Sequence, residues 1–214
     1  MQDIVWDDIK KYIPEENKRV GVMVSGGWDS ACLWYMVKKI CTERGMSCEP
    51  FVVPKLDGAL VASQNVIKTL SKKLGVSYQE PTVVGKELSN NPWDYVTNGA
   101  WDIFGETADD RLVDFLFVGM TAFDDEVHQR HEKEDPHPRF EPEEWMREFV
   151  AWPFENHTKD KTIKLGFDIG IADVIMPITH SCTELQEGRC NKCYWCTERQ
   201  WAFEKAGYLD TGTN

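Results

Sequence analysis

Short apolar runs alternate with longer amphipathic segments along most of the chain. The runs are rich in Val, Phe and Leu and stop at glycine or proline, whereas the segments between them carry apolar residues at helical spacing. The pattern predicts strands at 19–24, 48–53, 76–84, 115–118 and 149–153, and helices at 5–12, 29–44, 59–74, 102–111 and 158–169. Because strands and helices alternate, we expect a parallel sheet with helices on both faces.

One stretch departs from this alternation. Residues 126–145 are polar, charged and interrupted by prolines. Such a composition predicts a surface excursion, of the kind that closes over a binding site as a lid.

Composition and charge narrow the class of protein. The 214 residues suit one domain with a small appendage. The net charge of −12, from 36 acidic and 24 basic side chains, lacks the basic footprint of a nucleic-acid binder. We therefore expect a small-molecule substrate and no nucleic acid. No apolar run approaches the roughly 20 residues of a membrane span, and the acidic start lacks a signal-peptide pattern, so the predicted location is the cytoplasm.

A candidate phosphate loop follows the first predicted strand. Its residues, at the start of a predicted helix, are Ser25, Gly26, Gly27, Trp28, Asp29 and Ser30. Glycines let the backbone approach an anion closely, and the first N–H groups of a helix bind phosphate. The serine hydroxyls add donors, and Asp29 can orient the loop or lie near Mg²⁺. The alternative is a plain strand-to-helix turn capped by Ser or Asp.

A candidate metal site lies near the C-terminus. Four of the seven cysteines fall within a short polar segment, at Cys182, Cys190, Cys193 and Cys196. Cysteines spaced Cys-x-x-Cys direct both thiolates at one ion, and two further thiolates complete a closed tetrahedral zinc site with a structural role. Buried free thiols and an iron–sulfur cluster are the alternatives.

Both motifs resemble known families. The string from Ser25 to Ser30 resembles the signature of PP-loop ATP pyrophosphatases, which cleave ATP between the α and β phosphates. The cysteine segment, followed by Glu198-Arg199, Ala202-Phe203 and Ala206-Gly207, resembles the C-terminus of 7-cyano-7-deazaguanine synthases. Two further stretches resemble that family: Gly119 to Asp124, and Trp152-Pro153-Phe154 with Thr158-Lys159 and Leu165-Gly166.

The resemblance implies a fold and a set of site residues. The fold is an α/β, doubly wound, mostly parallel five-stranded sheet, with a PP-loop domain at 1–178 and a C-terminal zinc-binding segment at 179–214. Ser25, Asp29, Ser30 and Lys159 are the expected catalytic residues, and Gly119 and Asp124 join the PP-loop in binding nucleotide. Arg139 is the candidate to pair with an acceptor carboxylate.

The resemblance also implies an activity. The family converts 7-carboxy-7-deazaguanine and ammonia to the nitrile, with ATP, Mg²⁺ and a structural Zn²⁺, as a homodimer. The alternatives are a PP-loop enzyme that adenylates another acceptor, such as a tRNA-thiolating or sulfonucleotide enzyme, and a nucleotide-binding module without catalysis. The stretch Val53 to Gly58 does not match the family's Tyr-Gly-Gln segment, so the substrate side of the resemblance is incomplete.

Overall fold

The fold is seen in a computed structural model. It describes residues 6–13, 18–54, 58–85, 94–105, 110–130 and 143–212. No helix in these ranges combines the length and the apolar character that crossing a bilayer requires.

Five parallel strands form one sheet. They are β1 (Val20–Met23), β2 (Cys48–Val52), β3 (Thr82–Val83), β4 (Phe115–Val118) and β5 (Val150–Ala151), in the order β3-β2-β1-β4-β5. Every neighbouring pair is parallel. The predicted parallel five-stranded α/β fold is confirmed.

Helices connect the strands and cover the sheet. They are α1 (Trp6–Tyr12), α2 (Trp28–Glu43), α3 (Ala59–Leu74), α4 (Asp94–Phe104), α5 (Asp125–Arg130), α6 (Met146–Phe149), α7 (Lys159–Asp168), α8 (Ala172–Ile175) and α9 (Tyr194–Ala206). The predicted domain boundary between residues 178 and 179 stays a prediction.

Each face of the sheet buries its own hydrophobic cluster. Val20 and Val22 of β1 pack into a cluster with the side chains of α1, α2, α3, α7 and α9. Leu116 and Val118 of β4 belong to a second cluster, with α4 and the strand β5. Successive side chains of a strand point to opposite faces, so the sheet is covered by helices on both sides.

The order of the strands determines where a ligand can bind. From β1 the chain crosses to β2 on one side, and later returns to β4 on the other side. Such a switch point leaves a crevice outside the carboxyl ends of the two central strands. Met23 and Val118 are register partners at those ends, so the residues that follow them face this crevice.

Some predicted elements need correction. The helix predicted at 102–111 instead spans Asp94–Phe104 and stops at Gly105, whose φ of +60° is left-handed. The third strand is only two residues long, rather than the stretch 76–84. The excursion predicted at 126–145 begins with the helix α5, and its residues 131–142 lie outside the described residues. The helices α6, α8 and α9 were not predicted.

Candidate nucleotide cleft and metal centre

A cleft of about 230 Å³ opens at the switch point. Its walls come from the ends of β1, β2 and β4, from the PP-loop (residues 25–30), from Lys159, and from the cysteine loop (residues 179–193) with the start of α9. The β1 and β2 side, at Met23 and Val52, is apolar, whereas the opposite side carries the ionisable groups. The cleft therefore combines one apolar half with one charged half.

Glycine allows the PP-loop to turn against α3. Gly26 has a left-handed φ of +83°, and a Cβ there would lie 2.4 Å from the Cβ of Ala62. Its carbonyl oxygen accepts a hydrogen bond of 3.0 Å from the backbone N–H of His180. Gly27 is the N-cap of α2, so the free N–H groups of the first helical turn lie at the cleft. This arrangement suits a phosphate group.

The side chains of the two PP-loop serines meet at the N-terminus of α2. The Oγ atoms of Ser25 and Ser30 are 3.1 Å apart, and Ser30 donates a hydrogen bond of 3.0 Å to the carbonyl oxygen of Gly27. Both serines line the cleft. The predicted loop residues are thus brought together with two hydroxyl groups beside the helix terminus.

The end of β4 supports the PP-loop from the other side. A Cβ at Gly119 would lie 3.1 Å from the backbone nitrogen of Ser30 and 3.2 Å from the carbonyl carbon of Asp29. Only hydrogen fits comfortably in this gap, since 3.1 Å is tighter than ordinary van der Waals contact. Gly119 also lines the cleft.

Three ionisable side chains form a buried cluster beside the loop. The Nζ atom of Lys159 lies 3.1 Å from Oδ2 of Asp29 and 2.5 Å from Oε2 of Glu198. The second oxygen of Asp29 accepts a hydrogen bond from the hydroxyl of Thr162. Lys159 is 5% exposed and Glu198 is 2% exposed, whereas Asp29 is partly buried, so one ammonium is shared by two carboxylates largely away from bulk water.

Burial and pairing have opposite effects on these groups. Burial disfavours the charge on Lys159, but the carboxylates of Asp29 and Glu198 outweigh it and raise the pKa of the lysine above its usual value. Burial raises the pKa of Glu198, and the ammonium of Lys159 opposes that effect. Lys159 is therefore a fixed cation at the charged end of the cleft.

Three predicted site residues lie elsewhere or outside the described residues. The Trp28 side chain is fully buried: its indole donates a hydrogen bond of 2.7 Å to the carbonyl of Thr162, and it does not line the cleft. Asp124 lies before α5, where it pairs with Lys205 at 3.2 Å and accepts the N–H of Glu126, and it is not among the lining residues. Arg139 lies outside the described residues. Its role stays a prediction.

The four predicted cysteines converge on one point. Their Sγ atoms all lie within 4.8 Å of one another, with those of Cys190 and Cys196 4.0 Å apart. Four thiolates about 2.3 Å from a tetrahedral zinc ion would be about 3.8 Å apart. Thiolates around a four-iron cluster stand on its outer corners and are spread more widely, so this spacing favours a single ion.

The surroundings favour a thiolate at Cys193 at the expense of Cys196, whose pKa is raised by the hydrogen bond with Cys193 and by burial. A hydrogen bond with Cys196, aided by the backbone N–H of Thr183 against the opposing effect of burial, lowers the pKa of Cys193 to about 4. The backbone N–H groups of Lys192 and Cys193 donate to the Sγ atom of Cys190 at 3.4 Å and 3.2 Å. A bound divalent ion deprotonates the thiols that coordinate it, so four converging cysteines fit a structural zinc ion.

The cysteine cluster and the cleft share a wall. Cys182 belongs to the cysteine cluster and also lines the cleft, together with Trp195 from the first turn of α9. The same helix is anchored behind the cleft, where Arg199 donates to Asp210 at 2.8 Å and to the carbonyl of Thr179 at 3.0 Å. Arg189 of the cysteine loop also contacts Asp210, at 2.7 Å. The cysteine segment is thus packed as part of the site.

Sequence reasoning missed two residues of this site. Glu198 enters the sequence analysis only as part of the family resemblance, and Thr162 carries no recognisable motif. Their contacts with Lys159 and Asp29 join separate parts of the chain, so no local sequence pattern predicts these contacts. The one available signal was the position of Glu198, two residues after the last cysteine of the cluster.

Comparison with known proteins gives one family match. Residues 143–207 match the family model described as queuosine biosynthesis protein QueC. This segment carries Lys159, Glu198 and all four cysteines. The match confirms the predicted resemblance over that segment, which is less than half of the chain. No curated protein sequence matches the chain.

Two solved structures resemble the chain in outline. One is the U34-tRNA thiolase NcsA from Methanococcus maripaludis with its [4Fe-4S] cluster, at 15% identity and a TM-score of 0.47, covering 94% of this chain and 72% of that one. The other is the NMN synthetase from Francisella tularensis, at 13% identity and a TM-score of 0.49, covering 95% and 82%. At these values neither structure carries an argument about the chemistry of this chain.

Proposed function

We propose that this chain is an ATP-dependent, carbon–nitrogen bond-forming ligase that converts 7-carboxy-7-deazaguanine and ammonia to 7-cyano-7-deazaguanine. The observation that carries the proposal is the family match over residues 143–207. That segment supplies Lys159 to the cleft, where it lies beside the PP-loop and 3.1 Å from Asp29, and it supplies all four cysteines of the candidate metal centre. The phosphate-binding geometry and the matched segment therefore meet at one site.

The reaction uses two molecules of ATP. The acceptor carboxylate attacks the α-phosphate, which forms an acyl-adenylate and releases pyrophosphate. Ammonia then displaces AMP and loses a proton, which gives the amide. The amide oxygen attacks a second ATP and again releases pyrophosphate. Loss of AMP, together with the two amide protons, leaves the nitrile.

The residues of the cleft match the demands of these steps. The N–H groups at the start of α2 and the hydroxyls of Ser25 and Ser30 hold the phosphates. The ammonium of Lys159 stabilises negative charge that develops at the α-phosphate. Asp29 orients that ammonium at 3.1 Å, and the apolar wall near Met23 and Val52 receives the adenine. Arg139 is proposed to pair with the acceptor carboxylate.

Metals enter this proposal in two ways. The four cysteines would hold a structural Zn²⁺, which fixes the cysteine loop against the cleft. Mg²⁺ is expected to arrive with ATP, because both oxygens of Asp29 are already paired with Lys159 and Thr162. No Mg²⁺ ligand is therefore assigned among the described residues. The homodimer implied by the resemblance and the cytoplasmic location expected from the sequence also stay predictions.

A second candidate is adenylation of a different acceptor. The family match leaves residues 1–142 unmatched, and these include the apolar walls of the cleft at β1, β2 and β4. A changed wall can accept another carboxylate or base while the adenylating chemistry is kept.

The decisive experiment is mass spectrometry of the products formed from ATP, ammonium and 7-carboxy-7-deazaguanine. The proposal expects the nitrile with two AMP and two pyrophosphate per acceptor. AMP formed only with another acceptor would support the second candidate. ADP and phosphate as the sole nucleotide products would contradict both.

Substitutions in the PP-loop test the site itself. Ser30→Ala and Asp29→Asn should each lower AMP formation at least about a hundredfold, because both act on the phosphate end of the cleft. Ser71→Ala is the matched control, since Ser71 is a buried helical serine of α3 outside the cleft. Equal activity of the Ser30 and Ser71 variants would exclude this loop as the reacting site.

A further inference from the structure

Lys159 is held by two separate parts of the chain. Asp29, in the first turn of α2, accepts one hydrogen of its ammonium at 3.1 Å. Glu198, on α9, accepts a second at 2.5 Å. An ammonium has three hydrogens, so one remains for a group in the cleft, which Lys159 lines. The direction of that third hydrogen depends on both carboxylates.

Burying the carboxylate of Glu198 costs free energy, because the charge loses its hydration. The residue is 2% exposed, and within the described residues it forms an ion pair with Lys159. A buried ion pair adds little to stability compared with apolar residues of similar volume. Lys159 already has a carboxylate partner in Asp29, so charge balance alone does not account for a second buried acid. The second carboxylate does fix the geometry of the ammonium.

The position of Glu198 depends on the cysteine cluster. The helix α9 begins directly after Cys193, which is its N-cap, and Cys196 lies in its first turn. Glu198 follows Cys196 by two residues in the same helix. Trp195, from the same turn, places its ring centroid 5.8 Å from the Nζ atom of Lys159. Two side chains of α9, Trp195 in its first turn and Glu198 just after that turn, thus approach the ammonium of Lys159.

We propose that Glu198 is a positioning residue that fixes the ammonium of Lys159 and thereby links the four-cysteine segment to the nucleotide site. Its effect on AMP formation rests on the proposed function, whereas its effect on the location of the ammonium does not. The two effects are measured separately.

The first measurement is structural. Crystal structures of the wild-type protein, Glu198→Gln and Glu204→Gln are compared. The control residue Glu204 is an exposed acid of the same helix, which pairs with Gln200 at 3.0 Å. We expect the ammonium to move by more than about 1 Å in Glu198→Gln and to stay in place in the control. An unmoved ammonium in Glu198→Gln overturns the proposal.

The second measurement is kinetic. Glu198→Gln should lower the turnover number for AMP formation at least about tenfold, because a displacement of 1 Å costs up to a hundredfold. Metal content and the Michaelis constant for ATP should change less than about threefold. In a Lys159→Met background the same substitution should have less than a twofold effect, because the residue acts through the lysine. An equal loss in both backgrounds overturns the proposal.

Two further outcomes are informative. If the wild type forms no AMP from ATP with any acceptor, the proposed function fails, and the crystal structures still decide whether Glu198 positions Lys159. If Glu198→Gln does not fold, Glu198→Asp replaces it, since it keeps the charge and withdraws it by one methylene. Glu198→Asp should then shift the ammonium and slow turnover, and an unshifted ammonium counts against the proposal.

Discussion

The backbone of Ser30 lies so close to Gly119 that a Cβ on the glycine would be 3.1 Å from both the Cα and the nitrogen of Ser30. The contact joins the end of β4 to the first turn of α2, on the side of the PP-loop away from α3. The loop is therefore enclosed between two close contacts, since Gly26 touches Ala62 of α3 on the other side. Its shape is determined by packing as much as by its own sequence.

Substitution of Gly119 should weaken nucleotide binding. Gly119→Ala pushes on the backbone of Ser30, so we expect an ATP dissociation constant at least about tenfold higher by calorimetry, with about 1 to 3 kcal/mol lost in stability. Gly21→Ala is the control, because its Cβ would meet the ring of Phe51 at 2.8 Å within the sheet. It should lower the melting temperature without changing the ATP affinity of the folded protein.

The cysteine cluster should bind one zinc ion per chain. Elemental analysis should give about one zinc in the wild type and almost none in Cys193→Ser, since the closed shell needs four thiolates. Cys32→Ala should keep its zinc, because Cys32 is buried in α2 outside the cluster. Iron with sulfide, or no metal in the wild type, would show that the site is something else.

Loss of Lys159 should destabilise the protein through its partners. Lys159→Met leaves the buried Glu198 and the partly buried Asp29 without their shared cation, which should cost about 3 to 5 kcal/mol in the free energy of unfolding. Adding Glu198→Gln should restore part of this loss, because one uncompensated acid is removed. Denaturant unfolding measures the free energy of unfolding of both variants. A double variant less stable than Lys159→Met would contradict the buried-cluster interpretation.

The ion pairs of Asp210 with Arg189 and Arg199 should make the stability of the protein depend on pH. Burial opposes its charge, but the hydrogen bond from Arg199 and the contact with Arg189 prevail and lower the pKa of Asp210. A carboxyl with a lowered pKa in the folded state contributes stability above its unfolded pKa of about 3.9, and that contribution is lost as pH falls through the folded value.

Asp210→Asn should therefore lose about 2 to 4 kcal/mol at pH 7. The difference from the wild type should begin to shrink below about pH 4, where Asp210 of the unfolded chain takes up a proton, and should be lost as pH falls through the lowered pKa of the folded protein. Asp168→Asn is the control, since Asp168 is half exposed in a surface pair with Lys164 and should cost less than about 1 kcal/mol. A pH-independent difference would place the effect outside the Asp210 charge.

Local sequence signals account for most of the sheet and for its first helices. The helix α3 has a clear apolar stripe and a left-handed Gly75 at its end, and the structure gives it the predicted bounds of Ala59–Leu74. The strand β4, Phe115–Val118, is also found where predicted, because it is a short apolar run stopped by glycine. The PP-loop and the cysteines were identifiable because their chemistry requires fixed spacings.

Other elements gave no such signal. The helix α9 buries Glu198 and Arg199 as well as Trp201 and Phe203, so its polar and apolar positions do not separate into two faces. The helix α4 contains Asn98 and Gly99, residues that weaken a helix prediction, and this displaced the prediction toward its C-terminal end. The ion pairs around Lys159 form only when distant elements pack together, and one sequence does not encode such partners locally.

Cys182 is at once a member of the cysteine cluster and part of the wall of the cleft. A ligand that orders this wall, whether a metal at the cysteines or nucleotide in the cleft, therefore also orders it for the second ligand. By thermodynamic reciprocity, nucleotide should raise the affinity for the metal by the same factor by which the metal raises the affinity for nucleotide. We therefore expect a chain saturated with nucleotide to keep its metal at a higher equilibrium concentration of chelator than the nucleotide-free chain, so that metal occupancy in the cell rises with the supply of ATP.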